Sequence, residues 1–225
     1  MKVEIWSDIV CPWCYIGKRR FERALAAFPH REEVTVEHRS FQLNPAAERG
    51  VIGSRTEMLK GKYRLSDDQI ATMDERMERL AAEDGLAYNL EATVTGNTLD
   101  AHRLVHVARA SGLAEAMVER LYRAYFTEGR SVFDEDSLVA LAVEVGLEAD
   151  QVRSTLRGTA YADAVTADTR QAATLGASGV PYFVIDSQFG VSGAQAVDVF
   201  EDALAKAWES QAARRPAGRA PAPPA

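Results

Sequence analysis

The chain has 225 residues, of which 47% are hydrophobic and 26% charged, and these proportions are typical of a globular protein with a sizeable core. A formal net charge of -7 gives no electrostatic advantage for binding a polyanion, so DNA and RNA are poor candidates as partners. The sequence has 2 cysteines, close together, which excludes the spaced disulfide framework of small secreted domains.

The sequence does not indicate export or membrane insertion. The first ten residues carry Lys2, Glu4 and Asp8 and lack the apolar stretch of a signal peptide. Apolar runs nowhere reach the length of a membrane span. We therefore expect a cytoplasmic protein without membrane contacts.

The N-terminal segment predicts a β-α-β unit. Residues 2–7 alternate mostly polar and apolar side chains, as a strand does, and residues 34–43 alternate in the same way. Between them, residues 15–28 place apolar side chains at helical spacing. Asn44-Pro45 ends the second strand.

Residues 55–157 are predicted to be mainly helical. Ser66, followed three residues later by Gln69, has the pattern of a capping box, and its helix should run to about Asp84, before Gly85. Further helices are expected at 99–110, 114–126, 136–145 and 150–156.

The C-terminal segment predicts an α-β-β-α unit. A helix at 161–175 precedes a buried strand at 179–186, which forms a hairpin with 189–192, and a last helix spans 194–211. Residues 212–225 are low in complexity, so we expect a disordered tail there.

The motif that carries chemistry is Cys11-Pro12-Trp13-Cys14, shortly after the first strand and at the start of the first helix. Two residues between the cysteines at a helix start place the sulfurs within reach of a disulfide. The helix N-terminus favours the thiolate form of Cys11, and Cys14, further into the helix, can resolve a mixed disulfide. The motif therefore predicts a redox-active dithiol.

Half of a zinc site, or a pair of inert buried thiols, is the alternative interpretation of this motif. A tetrahedral zinc site needs four ligands, and the sequence has no second CxxC. Among the histidines, only His102 and His106 have the paired spacing of ligands on a helix. We predict no metal site.

Val180-Pro181 lies near the start of the predicted buried strand at 179–186, just before its apolar centre. Proline cannot donate to a ladder, so it marks the start or the edge of a strand. Both a trans and a cis bond fit this position, and the upstream strand-CxxC-helix unit favours cis.

Six segments together form a more specific pattern: Ser7 to Gly17, Phe41 to Pro45, Asn97 to Leu104, Ala124 to Phe126, Ser178 to Asp186 and Val191 to Gln195. The pattern covers about residues 2–210 and resembles the DsbA family of the thioredoxin superfamily. Within that family it is most similar to the FrnE-like branch, related to 2-hydroxychromene-2-carboxylate isomerases and kappa-class glutathione transferases.

This resemblance implies an α/β protein with a thioredoxin-like fold and a large all-helical insertion. The thioredoxin-like domain would be discontinuous, with residues 1–45 and 158–211 on either side of the insertion at 46–157. Residues 212–225 would form the tail.

The resemblance also implies a role for each site residue. Cys11 would be the nucleophile, Cys14 the resolving thiol, and Pro181 a cis proline that faces the two sulfurs. The backbone of Val180 would pair with an extended substrate segment. The other expected substrate contacts within the motif are Pro12 and Trp13.

Asn97 and His102 are two further candidates for the substrate cleft. The alternative interpretation is that Asn97 or Thr98 only caps the helix at 99–110, and that His102 is a packed residue of that helix. The sequence leaves both interpretations open.

Two residues depart from the pattern of the relatives. Many thioredoxin-like enzymes carry a buried acidic residue six positions before the first cysteine, where this chain has Ile5. Trp13 replaces a histidine that stabilises the thiolate in strongly oxidising relatives. We therefore expect a milder dithiol than that of the strongest oxidants.

The sequence thus predicts a dithiol–disulfide oxidoreductase that acts on protein or small-molecule thiols and disulfides. No tightly bound cofactor is expected, and glutathione or another low-molecular-weight thiol is a candidate co-substrate. The first alternative is a thiol-cofactor-dependent isomerase of an aromatic or polyketide-like compound, although the glutathione-using relatives have a serine in place of the dithiol. The second is a non-catalytic, redox-responsive binding module. A homodimer is among the oligomeric states left open.

Overall fold

The structure is a computed structural model that describes residues 1–214. Within these residues it has a four-stranded mixed sheet, a two-stranded ladder and nine α-helices. In chain order the elements are β1 (Lys2–Ser7), α1 (Pro12–Ala27), β2 (Thr35–Ser40), β3 (Gly53–Ser54), α2 (Arg55–Tyr63), α3 (Asp67–Glu83), β4 (Val94–Thr95), α4 (Leu99–Ala110), α5 (Ala114–Phe126), α6 (Glu135–Glu144), α7 (Ala149–Arg157), α8 (Ala162–Thr174), β5 (Tyr182–Ile185), β6 (Phe189–Ser192) and α9 (Val197–Arg214).

The main sheet has the strand order β2-β1-β5-β6. β1 is parallel to β2 and antiparallel to β5, so that Ile5 lies opposite His38 on one side and Phe183 on the other. Parallel neighbours need a crossover, and α1 supplies it. The predicted β-α-β unit and the predicted β5-β6 hairpin are both confirmed.

Helices cover both faces of this sheet, α1 and α9 on one face and α8 on the other. The first face holds an apolar core: Val3, Ile5, Phe21, Phe183, Ile185, Phe200 and Leu204. On the second face Trp6 is fully buried, and its indole Nε1 donates to the carbonyl oxygen of Asp168 on α8 at 2.8 Å. The sheet is therefore the rigid central layer of a thioredoxin-like α/β fold.

Helices α2 to α7 form the helical insertion, whose apolar side chains build the largest core cluster. That cluster also contains Cys11, Cys14 and Tyr15, so the insertion packs directly against the first turn of α1. The pairing of β3 with β4 adds a two-residue ladder to the insertion, which the sequence pattern did not indicate. Within residues 1–214, the helices lack the combination of length and apolar character needed to cross a membrane.

Most predicted helix bounds agree with the structure to within one residue. Ser66 and Gln69 form the predicted capping box, and α4 and α5 have their predicted bounds. The last helix differs, since it begins at Val197 and continues to Arg214, three residues into the predicted tail. Ala212, Ala213 and Arg214 are strong helix formers, which explains the extension. The remainder of the predicted tail, 215–225, lies outside the described residues.

Candidate functional site

The two cysteines lie at the N-terminus of α1. Cys11 is the N-cap residue with extended backbone, Pro12 is the first helical residue, and Cys14 falls in the first turn. The Cys11 amide donates to the carbonyl oxygen of Asp8 at 3.1 Å, and the Cys14 amide donates to that of Cys11 at 2.9 Å. Both thiols are free and buried, and the motif lies at a helix start.

The loop before β5 faces Cys11. The Val180–Pro181 peptide bond is cis, as predicted. The Cys11 thiol donates to the Val180 carbonyl oxygen, with an S···O distance of 3.6 Å. Gly17 on α1 makes this approach possible, because a Cβ at that position would lie 2.9 Å from Cγ of Pro181. The structure thus brings Val180 and Pro181 to the dithiol.

Cys14 is buried more deeply than Cys11, since it is 1% exposed and Cys11 is 5% exposed. Burial, reinforced by the neighbouring Cys11, raises the pKa of Cys14 well above its usual range. Cys14 is therefore protonated at neutral pH, and it becomes a thiolate only when a nearby base accepts its proton.

Aromatic side chains of the insertion surround the dithiol. Tyr15 stacks on Tyr122 with ring centroids 4.9 Å apart, and Tyr88 stacks on Phe126 at 4.7 Å. The Tyr88 hydroxyl donates to the carbonyl oxygen of Pro12 at 2.8 Å. Burial raises the pKa of Tyr88 and of Tyr122, so both phenols stay neutral. Their rings provide apolar surface beside the dithiol, and their hydroxyl groups remain available for hydrogen bonds.

A buried carboxylate–imidazole pair lies beside the first turn of α1. Asp8, which follows β1, is 1% exposed, and His102 on α4 is 2% exposed. Oδ1 of Asp8 lies 3.2 Å from Nε2 of His102, and Oδ2 accepts from the Leu43 amide at 2.7 Å. The predicted candidate His102 therefore lies near the dithiol and contacts it through Asp8.

Asn97 holds the loop before α4. Its Oδ1 accepts from Nε2 of Gln42 at 3.0 Å and from the Leu99 amide at 2.8 Å, and its Nδ2 donates to the Ala47 carbonyl oxygen at 2.5 Å. These bonds engage both polar atoms of the side chain within the protein. A role for Asn97 in substrate binding stays a prediction.

A cavity of about 350 Å³ opens next to the dithiol. Its walls come from the loops around α1 and from the insertion: Asp8, Val10, Pro12, Trp13, Leu43, Met58, Leu59, Met73, Met77 and Tyr125 are among them. Trp13, Leu43 and Tyr63 at its edge are also exposed, and Trp13 is 38% exposed. Two cations line it, of which Arg55 is held by Asp74 at 2.7 Å and Lys62 faces outward. The cavity can accept an apolar group and a nearby anion.

Sequence reasoning missed Asp8, Tyr88 and Tyr122 as members of the site. The tyrosines come from a loop and a helix of the insertion, and their approach to α1 is a tertiary contact that no local pattern encodes. Asp8 did carry a signal, because an acidic residue directly after a buried strand and before the CxxC is an unusual placement for a charge.

The comparison with known proteins agrees with this geometry. The family model of the DSBA-like thioredoxin domain matches residues 2–205 of the chain. The chain belongs to the DSBA-like thioredoxin domain family. A probable DsbA oxidoreductase from Streptomyces coelicolor is 49% identical in sequence, with a TM-score of 0.91 over 97% of this chain and 93% of that chain.

Two more distant structures share the fold of this DSBA-like chain. A 2-hydroxychromene-2-carboxylate isomerase is 18% identical, with a TM-score of 0.70 over 95% of this chain and 98% of that one. The cytosolic disulfide reductase DsbM from Pseudomonas aeruginosa, with GSH, is 18% identical, with a TM-score of 0.65 over 93% of this chain and 100% of that one. The family and the fold expected from the sequence are thereby confirmed.

Proposed function

We propose that this DSBA-like protein is a cytoplasmic dithiol–disulfide oxidoreductase in which Cys11 is the nucleophile and Cys14 the resolving thiol. The observation that carries the proposal is the asymmetric pair of thiols at the start of α1. Cys11 donates to the Val180 carbonyl oxygen and is 5% exposed, whereas Cys14 is 1% exposed. That asymmetry supports a sequence of two attacks on one substrate disulfide.

The proposed exchange consists of two successive attacks by a thiolate on a disulfide sulfur. The Cys11 thiolate attacks one sulfur of the substrate disulfide, the substrate S–S bond breaks, and the first substrate thiolate leaves. Cys14 then loses its proton and attacks Sγ of Cys11, which releases the second substrate thiolate and forms the Cys11–Cys14 disulfide. Two electrons pass from the protein to the substrate, and the reverse sequence donates a disulfide.

Substrate binding is proposed at two adjacent places. The Val180 backbone offers hydrogen bonds to an extended segment of the substrate. Pro12 and Trp13 contact the substrate groups next to the reacting sulfur. The cavity beside Trp13, lined by Met58, Met73 and Met77, would hold an apolar group of the substrate. Glutathione or another small thiol is proposed as co-substrate, which the GSH structure of DsbM supports.

Reduction of insulin by dithiothreitol tests the proposal directly. The wild type should accelerate the precipitation of the insulin B chain, and Cys11→Ser should abolish the acceleration. Cys14→Ser should trap a mixed disulfide with insulin that a non-reducing gel separates, because the resolving thiol is missing. Equal rates for the wild type and Cys11→Ser would overturn the proposal.

An isomerase of an aromatic or polyketide-like compound is the second candidate. It is favoured by the apolar cavity beside the motif and by the shared fold of the 2-hydroxychromene-2-carboxylate isomerase. Isomerisation needs no resolving thiol, so an isomerase would retain turnover in Cys14→Ser. Loss of insulin reduction with retained turnover of such a compound would select this candidate.

A further inference from the structure

The buried position of Cys14 creates a requirement for proton transfer. If the proposed exchange takes place, the Cys14 thiol must lose its proton before it attacks Cys11, and must regain it in the reverse direction. At 1% exposure the sulfur has almost no contact with bulk water. A group within the protein must therefore carry the proton.

The geometry around the first turn of α1 restricts that group. Among the described residues that line the adjacent cavity, the carboxylates are Asp8 and Asp74. Asp74 is engaged by the guanidinium of Arg55 through two contacts of 2.7 Å. Asp8 is tied to the dithiol, because its own carbonyl oxygen accepts the Cys11 amide at 3.1 Å.

Asp8 also connects the interior with the cavity. Its side chain is almost fully buried, yet it forms part of the cavity wall next to Pro12 and Trp13. A proton received on the inner side can thus leave toward the open side. The tyrosines nearby, Tyr15, Tyr88 and Tyr122, have pKa values raised by burial and do not accept protons at neutral pH.

His102 fixes the orientation of this carboxylate. Because a carboxylate oxygen only accepts, the 3.2 Å contact assigns the proton to Nε2 of His102. The Leu43 amide holds the second oxygen at 2.7 Å. The carboxyl group is therefore held from two sides. Beside burial and Cys11, its negative charge contributes to the raised pKa of Cys14, which places the two groups within electrostatic reach of each other.

We propose that Asp8, oriented by His102, is the proton acceptor for Cys14 in the resolving step and the proton donor in the reverse step. In the forward direction the S–H bond of Cys14 breaks, the proton goes to Asp8, and the Cys14 sulfur attacks Sγ of Cys11. The bond from Cys11 to the substrate sulfur breaks, and that sulfur leaves as a thiolate. Asp8 then releases its proton to water through the cavity. The proposal rests on the proposed oxidoreductase function.

A two-step oxidation by 2,2′-dithiodipyridine separates the two attacks. With the reduced protein in excess, attack by Cys11 releases one 2-thiopyridone, and attack by Cys14 releases a second. Stopped-flow absorbance should show both phases in the wild type. Asp8→Asn keeps the shape of the side chain and removes its capacity to accept the proton. It should leave the first phase within about twofold and slow the second about 10- to 100-fold at neutral pH.

The pH dependence distinguishes proton transfer from a structural role. In Asp8→Asn the second phase should accelerate steadily with pH and approach the wild-type rate in alkali, where hydroxide replaces the carboxylate. His102→Leu should slow the second phase, whereas His102→Gln, which keeps an N–H donor, should restore most of it. The His102 variants keep the proposal testable if Asp8→Asn does not fold.

Asp168 provides a matched control. It is buried, lies 3.3 Å from Nε2 of His106 and accepts from the Ser40 amide at 3.0 Å, which resembles the environment of Asp8 away from the dithiol. It differs from Asp8 by an additional contact with Arg39 at 3.2 Å. Asp168→Asn should leave the second phase unchanged. An unchanged second phase in Asp8→Asn, or equal slowing of both phases, would overturn the proposal. A wild type that releases no second 2-thiopyridone would instead contradict the oxidoreductase function.

Discussion

Gly17 shows how a single residue sets the distance between α1 and the loop that faces the dithiol. A Cβ at this position would lie 2.9 Å from Cγ of Pro181 and 3.4 Å from Cα of Ala194. The first distance is shorter than a van der Waals contact, and the second neighbour is backbone, so the loop would have to move. The absence of a side chain at Gly17 therefore keeps Val180 in contact with Cys11.

Gly17→Ala should lower the free energy of unfolding by about 1–3 kcal/mol and slow insulin reduction, because the loop moves away from Cys11. Gly61→Ala is the matched control, since Gly61 lies inside α2 and a Cβ there meets no atom within 4 Å. That change should stabilise the protein by about 0.5–1 kcal/mol and leave activity unchanged. Urea unfolding measures both variants. A neutral Gly17→Ala would mean that the loop accommodates the methyl group.

At the scale of elements, α1 is joined to α5 by a cluster of charges. Lys18 on α1 is nearly buried, and its Nζ lies 2.6 Å from Glu115 and 2.8 Å from Glu119 of α5, in addition to a contact with Glu22 of its own helix. Three carboxylates share this one ammonium group. The cluster holds the insertion against the helix that carries the cysteines.

Lys18→Met should destabilise the protein by about 1–2 kcal/mol, because it removes the buried ammonium group that the three carboxylates share. Arg19 remains as a partner of Glu22 and Glu119, and His38 as a partner of Glu115, which limits the loss. Lys60→Met is the control, since Lys60 pairs with Glu57 and Asp67 at the exposed surface, and no measurable loss is expected. Urea unfolding with an unchanged m-value would attribute the difference to the folded state. Equal midpoints for the two variants would contradict this account of the cluster.

The same elements show what the sequence predicts and where prediction ends. Ser66 and Gln69 lie in one turn, so their capping box could be identified from spacing, and the place of Cys11 at a helix start followed in the same way. The contact between Asp8 and His102 joins residues 94 positions apart. No periodicity links such residues. Ile5 on β1 occupies the position where many relatives carry a buried acidic residue, and the carboxylate of Asp8 can be assigned to the site only from the three-dimensional structure.

At the scale of the whole molecule, carboxylates held in ion pairs make stability depend on acidity. Burial alone would raise the pKa of Glu115, but a hydrogen bond with His38 and the charge of Lys18 hold it well below its ordinary value of 4.5. Similar partners lower the pKa of Glu37, Glu119 and Asp168. A group with a lowered pKa stabilises the folded state above its unfolded pKa, and this stabilisation is lost as the pH falls.

The free energy of unfolding should therefore decrease as the pH falls from about 5 to about 3. Glu22, whose pKa burial raises, acts in the opposite direction, but it is one group against five, since the pKa of Glu144 is lowered as well. Urea midpoints across this range measure the effect, and Glu115→Gln should make the decrease shallower. A midpoint that stays constant or rises on acidification would contradict the assignment of these ion pairs.

The reduction potential of the Cys11–Cys14 pair tests the central claim most directly. Trp13 supplies no positive charge to Cys11, and burial raises the pKa of Cys14, so the reduced dithiol lacks the thiolate stabilisation of a strong oxidant. Equilibration in glutathione buffers, followed by thiol alkylation and mass spectrometry, should give one two-electron transition. We predict a potential nearer to the about -270 mV of thioredoxin than to the about -120 mV of DsbA. A potential near about -120 mV, or a pair that forms no disulfide in any buffer, would contradict this account.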